Sequence, residues 1–387
     1  MAHKKTIPIS IPNITGNEQK YLTECIDTKF VSSVGRFVNE FEKQLEFHSG
    51  FKHACAVNSG TSALSLSLHN AGASHNDLVI IPDYTFIATA NAVAHCGANP
   101  WILDISSTNL NLDLQKLRSV LDSNCEIRRG NWFHKDTGQR IAAIVPVFAL
   151  GNSCDVNELN DIYKDYSIPV IVDAAGALGV EPNNQKLGNL DVTCLTISFN
   201  GNKTFTSGGG GAIITNDSSF FELCKHTSTT ARYGYEYKHD EVGFNHRMTN
   251  LQAAVGCAQL ERYHEFVNRK SYIHSFYQNN IFLSGVGTMH RSIDSSRWIS
   301  YIIFNNDANI NLENLYSFMQ NKGIELRPFW VPMHMQEPFK NCLRENLDVT
   351  KSLFQNVCTL PSSTGITDEE LSYTASSINS FLRDHAL

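Results

Sequence analysis

The chain has 387 residues, a formal net charge of -7 and no block of lysine and arginine, so it offers no basic face for nucleic-acid phosphates. Hydrophobic residues make up 42% of it and charged residues 18%, which is typical of an ordered globular protein and not of a disordered one. The ten cysteines have no paired spacing, and there is neither a signal-peptide-like start nor an apolar run of about 18 residues; we therefore expect a soluble cytoplasmic protein with reduced thiols, no metal site, and no membrane or nucleic-acid partner.

Strands and helices alternate along the first part of the chain. A helix is predicted at 17–27 and a loop at 32–36. Strands are predicted at 53–57, 78–81, 100–103, 141–147, 169–173, 193–199 and 211–215, and helices between them at 61–71, 87–95 and 156–166. This alternation predicts crossover units and an α/β fold with a mostly parallel sheet of seven strands.

The rest of the chain departs from this alternation. The polar stretch 122–140 is predicted to be an inserted hairpin or loop, and one long helix is predicted over 249–270. This helix would end the large domain, residues 1–261 with the N-terminal segment included, and lead into a smaller α+β domain, residues 262–387. In the smaller domain a strand is predicted at 299–304 and helices at 311–321 and 368–383.

Candidate site residues follow the strands, because ligands of open α/β sheets bind outside the carboxyl ends of the strands. Gly60, Thr61 and Ser62 follow the first strand and open a helix, where free backbone N–H groups and hydroxyls can bind an anion such as phosphate. An ordinary helix cap is the alternative explanation for these residues. Phe86 follows the second strand and is either a stacking partner for an aromatic ligand or a core residue.

Asp173 and Lys203 add two charges to this set. Asp173 ends an apolar strand, where a carboxylate needs a cation, a polar partner or an N-cap role. Lys203 lies in SFNGNKTFTSGGGG after the next strand. A lysine in a desolvated pocket has a lowered pKa and reacts with aldehydes, whereas a lysine in a turn is ordinarily a surface residue. Together, a phosphate site, an aromatic ring, an acid and an amine match the four binding groups of pyridoxal 5'-phosphate. The glycines after Lys203 are predicted to let the backbone pass closely behind the site.

Motifs along nearly the whole chain resemble the DegT/DnrJ family of sugar aminotransferases. They are VGRFVNEFEKQL, NSGTSAL, PDYTFIATANAV, IPVIVDAAGALG, SFNGNKTFTSGGGGAIIT, GFNHRMTNLQAAVGCAQLE and ELRPFWVPMH. The resemblance implies fold type I and a pyridoxal-phosphate-dependent aminotransferase acting on a nucleotide-linked keto sugar.

Within that family, the SFNGNK stretch, the glycine run and the polar insertion resemble a particular group of members. These move an amino group from L-glutamate to C4 of UDP-linked 4-keto-6-deoxy-N-acetylhexosamines, as in the routes to bacillosamine and legionaminic acid. Amination at C3 or C4 of a different nucleotide-linked keto sugar is the alternative.

The resemblance assigns cofactor roles to three side chains. Lys203 would bind the cofactor aldehyde covalently and later move the proton at the sugar carbon, Asp173 would pair with the pyridinium nitrogen, and Phe86 would stack on the ring. Related sugar dehydratases have a histidine in place of the lysine, so Lys203 favours amino transfer over deoxygenation. A regulator without catalytic activity is disfavoured because both Lys203 and Asp173 are present.

Other residues are assigned by the resemblance to anionic groups. The cofactor phosphate would be held by Thr61, Ser62 and Ser198 and by Asn245 of a neighbouring subunit. Sharing Asn245 in this way implies a homodimer with shared active sites. Candidate contacts for the glutamate carboxylates or the diphosphate of the sugar nucleotide are Arg247, Arg327 and His334.

Two stretches depart from the family pattern. Gly176 stands where the family commonly has Gln, Glu or His after the DAA motif. The contact that such a side chain makes near the cofactor hydroxyl or the substrate is therefore expected to be missing or replaced by water. The loop ALGNS at 149–153 lacks the aromatic, His and Pro residues usual there. Both departures affect the expected sugar and leave the cofactor chemistry unchanged.

Overall fold

A computed structural model describes residues 6–289, 294–308 and 310–385. Its helices are α1 (Glu18–Asp27), α2 (Arg36–Ser49), α3 (Gly60–Asn70), α4 (Ala88–His95), α5 (Leu114–Asn124), α6 (Val156–Tyr166), α7 (Ser218–Ser228), α8 (Asn250–Leu260), α9 (Tyr263–Asn280), α10 (Leu312–Asn321), α11 (Asp348–Leu353) and α12 (Asp368–His385). Its strands are β1 (His53–Val57), β2 (Leu78–Pro82), β3 (Asn99–Leu103), β4 (Cys125–Arg128), β5 (Asn131–His134), β6 (Ile141–Ile144), β7 (Ile171–Asp173), β8 (Cys194–Ser198), β9 (Gly211–Thr215), β10 (Arg232–Tyr233), β11 (Lys238–His239), β12 (Gly287–Met289), β13 (Tyr301–Phe304), β14 (Arg327–Pro328), β15 (Leu343–Arg344) and β16 (Val357–Thr359).

The seven strands predicted for the large domain lie side by side in the order β3-β2-β6-β7-β8-β9-β1. Isolated bridges join β6 to β7 by connecting Ile144 with Val170 and Val147 with Asp173. β9 runs antiparallel to β8 and β1, and the other neighbours are parallel. The predicted α/β fold with a mostly parallel sheet is therefore confirmed, and β15 adds a short parallel edge beside β3.

Helices cover both faces of this sheet because its strands are apolar on both sides. In β2, Leu78 and Ile80 belong to a core with residues of α2, α5, α6 and α8, whereas Val79 and Ile81 belong to a second core with residues of α3, α4 and α7. The parallel strands between these helical layers bring their carboxyl ends to one edge of the sheet, which is where ligands of such folds bind.

An antiparallel sheet in the order β12-β13-β16-β14 forms the C-terminal unit together with α9, α10 and α12. Ile7 of the N-terminal segment belongs to the core of this unit and forms a parallel bridge with Ile324. The Ser10 hydroxyl then donates to the carbonyl O of Asn202 at 2.8 Å. The start of the N-terminal segment therefore contacts both the C-terminal unit and the large domain, and the boundary predicted at residue 261 stays a prediction.

Other features of the chain differ from the sequence-based expectation or refine it. The helix predicted over 249–270 is two helices, because Arg262 between α8 and α9 has a non-helical backbone conformation. The polar insertion is a hairpin of β4 and β5, whose turn residues Arg129 and Gly130 have positive φ angles of 50° and 79°, as a two-residue hairpin turn requires. Helices α2, α5 and α7 are not predicted from the sequence. Along the described part of the chain, no helix combines the length and the apolarity needed to span a bilayer.

Candidate active site

A cavity of about 290 Å³ lies at the carboxyl ends of the central strands. Trp298 and Trp330 of the C-terminal part form one portion of its wall. The predicted cofactor residues that line it are Gly60, Thr61, Phe86, Asp173, Ser198 and Lys203. A larger cavity, of about 690 Å³, lies elsewhere; its described lining includes two aspartates and no basic side chain, so it does not suit a phosphate group.

The first turn of α3 forms a polar cradle on one side of the 290 Å³ cavity. Ser59 caps the helix: its Oγ accepts the backbone N–H of Ser62 at 3.0 Å and lies 2.8 Å from the Ser62 hydroxyl, and Ser62 does not line the cavity. Helix starts leave their first N–H groups without intrahelical partners, so those of Gly60 and Thr61 are available to an anion. A Cβ on Gly60 would lie 2.8 Å from Cβ of Ser198, and glycine is therefore required there.

The glycine run passes directly behind this cradle. A Cβ on Gly211 would lie 2.4 Å from the carbonyl O of Ser59 and 2.6 Å from the backbone N of Gly60. Gly208 and Gly210 have φ angles of 78° and 144°, which residues with a side chain disfavour. The prediction that the glycines let the backbone pass closely behind the site is confirmed.

Asp173 is buried at the end of β7, with 5% of its surface exposed. Its Oδ2 accepts the Thr89 hydroxyl at 2.7 Å, and its Oδ1 accepts the backbone N–H of Ala175 at 3.1 Å. The hydroxyls of Thr89 and Thr85 are 2.8 Å apart. Burial raises the pKa of Asp173, and the hydrogen bonds from Thr89 and Ala175 oppose that shift. A cationic ring nitrogen in the cavity would stabilise the charged carboxylate further.

Lys203 lies in the turn after β8, where its backbone N–H donates to the carbonyl O of Asn200 at 3.0 Å. Burial lowers the pKa of its amine to about 7, and the negative charge of Asp173 opposes this shift. The amine lies 3.5 Å from the centre of the Trp298 indole. Because the uncharged form is the nucleophile, an amine with this pKa can react with an aldehyde near neutral pH.

The groups around the cavity fit pyridoxal phosphate in chemical type. The Lys203 amine suits its aldehyde, Asp173 suits its ring nitrogen, and the start of α3 suits its phosphate. Phe86 lines the cavity with 54% of its surface exposed, so a flat ligand has access to its ring. Trp330 lies beside it, with 5.9 Å between the ring centroids.

Asn245 and Arg247 do not line the Lys203 cavity. Asn245 is exposed and pairs through its backbone with Thr229. Arg247 donates from Nη2 to the carbonyl O of Ser33 at 2.6 Å and lines a separate cavity of about 170 Å³. Within a single chain, therefore, neither side chain contributes to the site around Lys203.

Arg327 and His334 also lie outside that cavity. The side chain of Arg327 is 68% exposed, and its Nε donates to Oε1 of Glu325 at 2.6 Å. The ring Nδ1 of His334 lies 2.7 Å from Oδ2 of Asp83, and the backbone N–H of His334 donates to Oδ1 of the same carboxylate at 2.9 Å. Both residues are held by neighbouring carboxylates, and their contacts with substrate stay predictions.

Gly176 and the ALGNS loop, which depart from the family pattern, both contact one segment of the C-terminal part, residues 294–298. A Cβ on Gly176 would lie 2.3 Å from Cε3 of Trp298, so the space expected to be empty or filled by water holds an indole. A Cβ on Gly151 in the ALGNS loop would lie 2.1 Å from Oγ of Ser296. Gly176 and Gly151 thus leave room for the side chains of Trp298 and Ser296, which lie much later in the chain.

Trp298, Trp330 and Thr89 are site residues that the sequence-based prediction missed. Thr89 had a weak local signal, because it lies in the first turn of the helix after the second strand, at the edge of the sheet where ligands bind. Trp330 lies within the quoted motif ELRPFWVPMH, which marked that stretch. Trp298 had no local signal, since it reaches the cavity only through the packing of the C-terminal part against the central sheet.

Comparisons with known proteins agree with the fold. The model of the DegT/DnrJ/EryC1/StrS aminotransferase family matches residues 12–379. A GDP-perosamine synthase of Caulobacter vibrioides is 33% identical over 390 residues, which cover 99% of this chain and 100% of the relative. A UDP-4-amino-4,6-dideoxy-N-acetyl-beta-L-altrosamine transaminase of Campylobacter jejuni is 29% identical over 346 residues, 88% of this chain and 87% of the relative.

Solved structures show the same fold. PseC of Helicobacter pylori, described as an aminotransferase involved in the biosynthesis of pseudoaminic acid, superimposes with a TM-score of 0.87 and 23% identity over 98% of this chain and 100% of that one. A DegT/DnrJ/EryC1/StrS aminotransferase from Brucella abortus superimposes with a TM-score of 0.85 and 24% identity over 94% of this chain and 95% of that one.

Proposed function

This chain belongs to the DegT/DnrJ/EryC1/StrS aminotransferase family and is a pyridoxal-phosphate-dependent sugar aminotransferase, and we propose that it moves the amino group of L-glutamate to C4 of a nucleotide-linked 4-keto-6-deoxyhexose. The observation that carries the proposal is that one cavity holds a lysine and a buried carboxylate together. Burial lowers the pKa of this lysine to about 7. Lys203 is that lysine and Asp173 that carboxylate.

Lys203 has two tasks in this proposal. Its amine holds the cofactor aldehyde between turnovers, and when released it moves the proton at C4 of the sugar. A pKa of about 7 suits both tasks, because an amine that gains and loses a proton near the working pH is an efficient general acid and base. When bound, pyridoxal phosphate supplies an aldehyde that takes up the amino group and a ring that withdraws electrons from the carbon losing its proton.

Asp173 keeps a proton on the ring nitrogen. The Thr89 hydroxyl and the Ala175 N–H each donate to it, so its two oxygens are fixed in direction before the cofactor enters. A carboxylate oriented in advance does not have to reorganise during the reaction, which is how buried charges are most effective in catalysis.

The start of α3 holds the phosphate in this proposal, through the N–H groups of Gly60 and Thr61 and the hydroxyls of Thr61 and Ser198. Ser62 supports the cradle from behind, because its hydroxyl and N–H contact the capping Ser59. The ring of Phe86 covers one face of the bound ring.

The second subunit of a homodimer completes the site in this proposal, by placing its Asn245 near the phosphate. Exposed apolar side chains support an association through this region. Tyr235 and Tyr237 lie between β10 and β11 and are 100% and 74% exposed, and Val34 is 56% exposed. Surfaces of this kind mark interaction sites. Arg247 bonds Ser33 next to Val34, so it lies beside that surface and is a candidate contact for the diphosphate.

The dimer is tested with Asn245→Ala and a measurement of mass in solution. We expect a dimer whose affinity for pyridoxal phosphate falls about tenfold in the variant, the effect of losing one hydrogen bond to a charged group. A monomer that binds the cofactor with full affinity, or a variant with unchanged affinity, would contradict the shared site.

Two nucleotides compete for the substrate assignment. The motif resemblance favours a UDP-linked 4-keto-6-deoxy-N-acetylhexosamine, while a relative named for GDP-perosamine matches the full length of the chain at 33% identity. We favour the GDP-linked sugar, because the agreement with that relative extends over the C-terminal part that forms the cavity wall as well as over the cofactor motifs. Arg327 and His334 remain candidate contacts for the anionic groups of either substrate.

A substrate panel tests this assignment. UDP-4-keto-6-deoxy-GlcNAc is compared with its GDP- and dTDP-linked 4-keto-6-deoxyhexose counterparts, with L-glutamate as donor, and 2-oxoglutarate and the amino sugar are both quantified. We expect kcat/KM to be highest for the GDP-linked sugar. Higher turnover of the UDP-linked sugar would overturn the choice of nucleotide, and 2-oxoglutarate without any amino sugar would overturn the amino transfer itself.

A further inference from the structure

We propose that Trp298 is a positioning residue for the Lys203 amine, and that Gly176 is glycine because the indole of Trp298 occupies the space of a side chain there. The proposal rests on the role of Lys203 given above. It concerns how this chain holds its reactive amine and is independent of which sugar is the substrate.

Trp298 contacts both the amine of Lys203 and the turn that carries it. The Lys203 amine lies 3.5 Å from the centre of the indole. At the edge of the ring system, the indole N–H donates to the carbonyl O of Asn202 at 2.7 Å. One buried side chain, 4% exposed, therefore restrains the end of the lysine side chain and the backbone next to its start.

The segment that carries the indole is itself held by two hydrogen bonds. The Ser296 hydroxyl donates to the carbonyl O of Gly176 at 2.7 Å, which ties the segment to the loop after β7. The buried amine of Lys270 donates to the carbonyl O of Trp298 at 2.7 Å. Between them, Arg297 has a φ angle of 51°, an uncommon conformation for a residue with a side chain, and such strain persists only where surrounding contacts impose it.

Gly176 is required for steric reasons alone. A Cβ there would lie 2.3 Å, 2.8 Å and 3.1 Å from three atoms of the Trp298 ring, and these are its nearest contacts. The φ angle of Gly176 is outside the left-handed range, so alanine could adopt its backbone conformation. A side chain at position 176 and the indole at position 298 are thus alternatives for the same space.

This arrangement limits the positions that the Lys203 amine can adopt. A lysine side chain has four rotatable bonds, and ordering it costs free energy. The indole face supplies a flat, electron-rich surface that attracts the protonated amine and leaves it facing the cavity. A small positional error at a reacting atom can cost a large factor in rate, so we expect the indole to affect kcat more than substrate binding.

The test is a double-mutant cycle with Gly176→Ala, Trp298→Ala and the double variant. Two kinds of quantity are measured: the dissociation constant of pyridoxal phosphate from the apoprotein, and kcat and KM for L-glutamate in the complete reaction, with the nucleotide-linked keto sugar as acceptor. We expect Gly176→Ala to weaken cofactor binding about tenfold when Trp298 is present and less than about twofold when residue 298 is alanine. Trp298→Ala alone should lower kcat about tenfold and change KM less than about twofold.

Two further variants make the outcome specific. Gly201→Ala is the matched control, because it lies in the same turn as Lys203 and its added Cβ would come no closer than 3.9 Å to another residue; it should leave both quantities unchanged. Trp298→Phe keeps a flat ring but lacks the N–H, and it should fall between wild type and Trp298→Ala. Thermal unfolding of each apoprotein establishes that the variants are folded.

Equal penalties for Gly176→Ala in both backgrounds would overturn the pairing of positions 176 and 298. A Trp298→Ala variant with unchanged kcat, or one that changes only KM, would overturn the positioning of the amine. Neither result would affect the role of Lys203 itself. That role is tested separately by removing the amine, so the two ideas can fail independently.

Discussion

Lys203 and Lys270 both contact Trp298 and both have a lowered pKa, but their amines make different contacts. Burial lowers the pKa of Lys203 in the cavity and that of Lys270 in α9, in both cases to about 7. The Lys270 amine donates to the carbonyl O of Trp298 at 2.7 Å and to the carbonyl O of Ser362. The Lys203 amine rests against a ring and, among the described residues, has no hydrogen-bond acceptor. Burial therefore prepares both amines, but only the one without fixed acceptors is free to react.

The difference between the two lysines separates the proposed reactive group from a structural one. An amine that satisfies buried carbonyls would leave them without a partner if it moved, so Lys270 is fixed. An amine beside an indole face loses only a weak attraction when it swings away. A perturbed pKa alone would nominate both residues as functional, and the contacts of each amine decide between them.

The largest expected effect is that of Lys203→Met, which removes the amine and keeps an unbranched side chain. We expect turnover to fall by at least about 10⁴-fold, the upper range for loss of a proton-transferring group, because no other described amine lines the cavity. The measurement is formation of 2-oxoglutarate from L-glutamate under saturating pyridoxal phosphate, with the nucleotide-linked keto sugar present as acceptor. Full turnover in this variant would show that the reactive amine has been assigned wrongly.

A smaller effect is expected from pH on the attachment of pyridoxal phosphate to the apoprotein. The pKa of about 7 predicts that the rate of attachment rises with pH up to about 7 and then levels off, because the neutral fraction of the amine changes about tenfold per pH unit below its pKa and little above it. Stopped-flow absorbance measures the rate. N-acetyl-lysine is the reference, since its ordinary pKa predicts a rise that continues to higher pH; the same profile for the protein would contradict a lowered pKa.

The smallest effect on turnover is expected for Lys270→Met. This change leaves the carbonyl groups of Trp298 and Ser362 without their donor, so we expect the free energy of unfolding to fall by about 1–3 kcal/mol. Turnover should fall by less than about tenfold, because Lys270 acts on Lys203 only through the Trp298 backbone. Urea unfolding and steady-state kinetics measure the two quantities. A loss of turnover as complete as that of Lys203→Met would erase the distinction between the two lysines.

Residues that follow strands of the central sheet were predictable because strand ends and helix starts carry local signals. Gly60, Asp173, Ser198 and Lys203 all line the cavity, and each follows or ends a strand whose apolar pattern is legible in the sequence. The parallel direction of most strands also follows from the alternation of strands and helices, apart from the antiparallel β9, which a pattern of apolar residues does not distinguish from a parallel strand. The order of the strands in the sheet was not predicted.

Contacts made by the C-terminal part could not be predicted in the same way. Trp298 reaches the cavity only because the C-terminal unit packs against the sheet edge, and no spacing rule connects it with Gly176. The break between α8 and α9 depends on the backbone of Arg262 and has no proline or glycine to mark it. The sequence does not separate a helix cap from an anion site at Ser62, because both use the same residue types at a helix start. In the structure the Ser62 hydroxyl lies 2.8 Å from the capping Ser59, and its phosphate contact stays a prediction.

The N-terminal segment makes the support of the Lys203 turn depend on residues that are synthesised much later. Its backbone N–H groups at Ile9 and Ile11 bond the side chains of Glu325 and Ser363, and its Ser10 hydroxyl bonds the turn of Lys203. These partners are separated by 316 and 352 positions for the two backbone contacts, and loops of such length close late in folding. Residues 9–11 can therefore reach their final place only after residues 325 and 363 have been synthesised, and the Lys203 turn acquires the support of Ser10 only then.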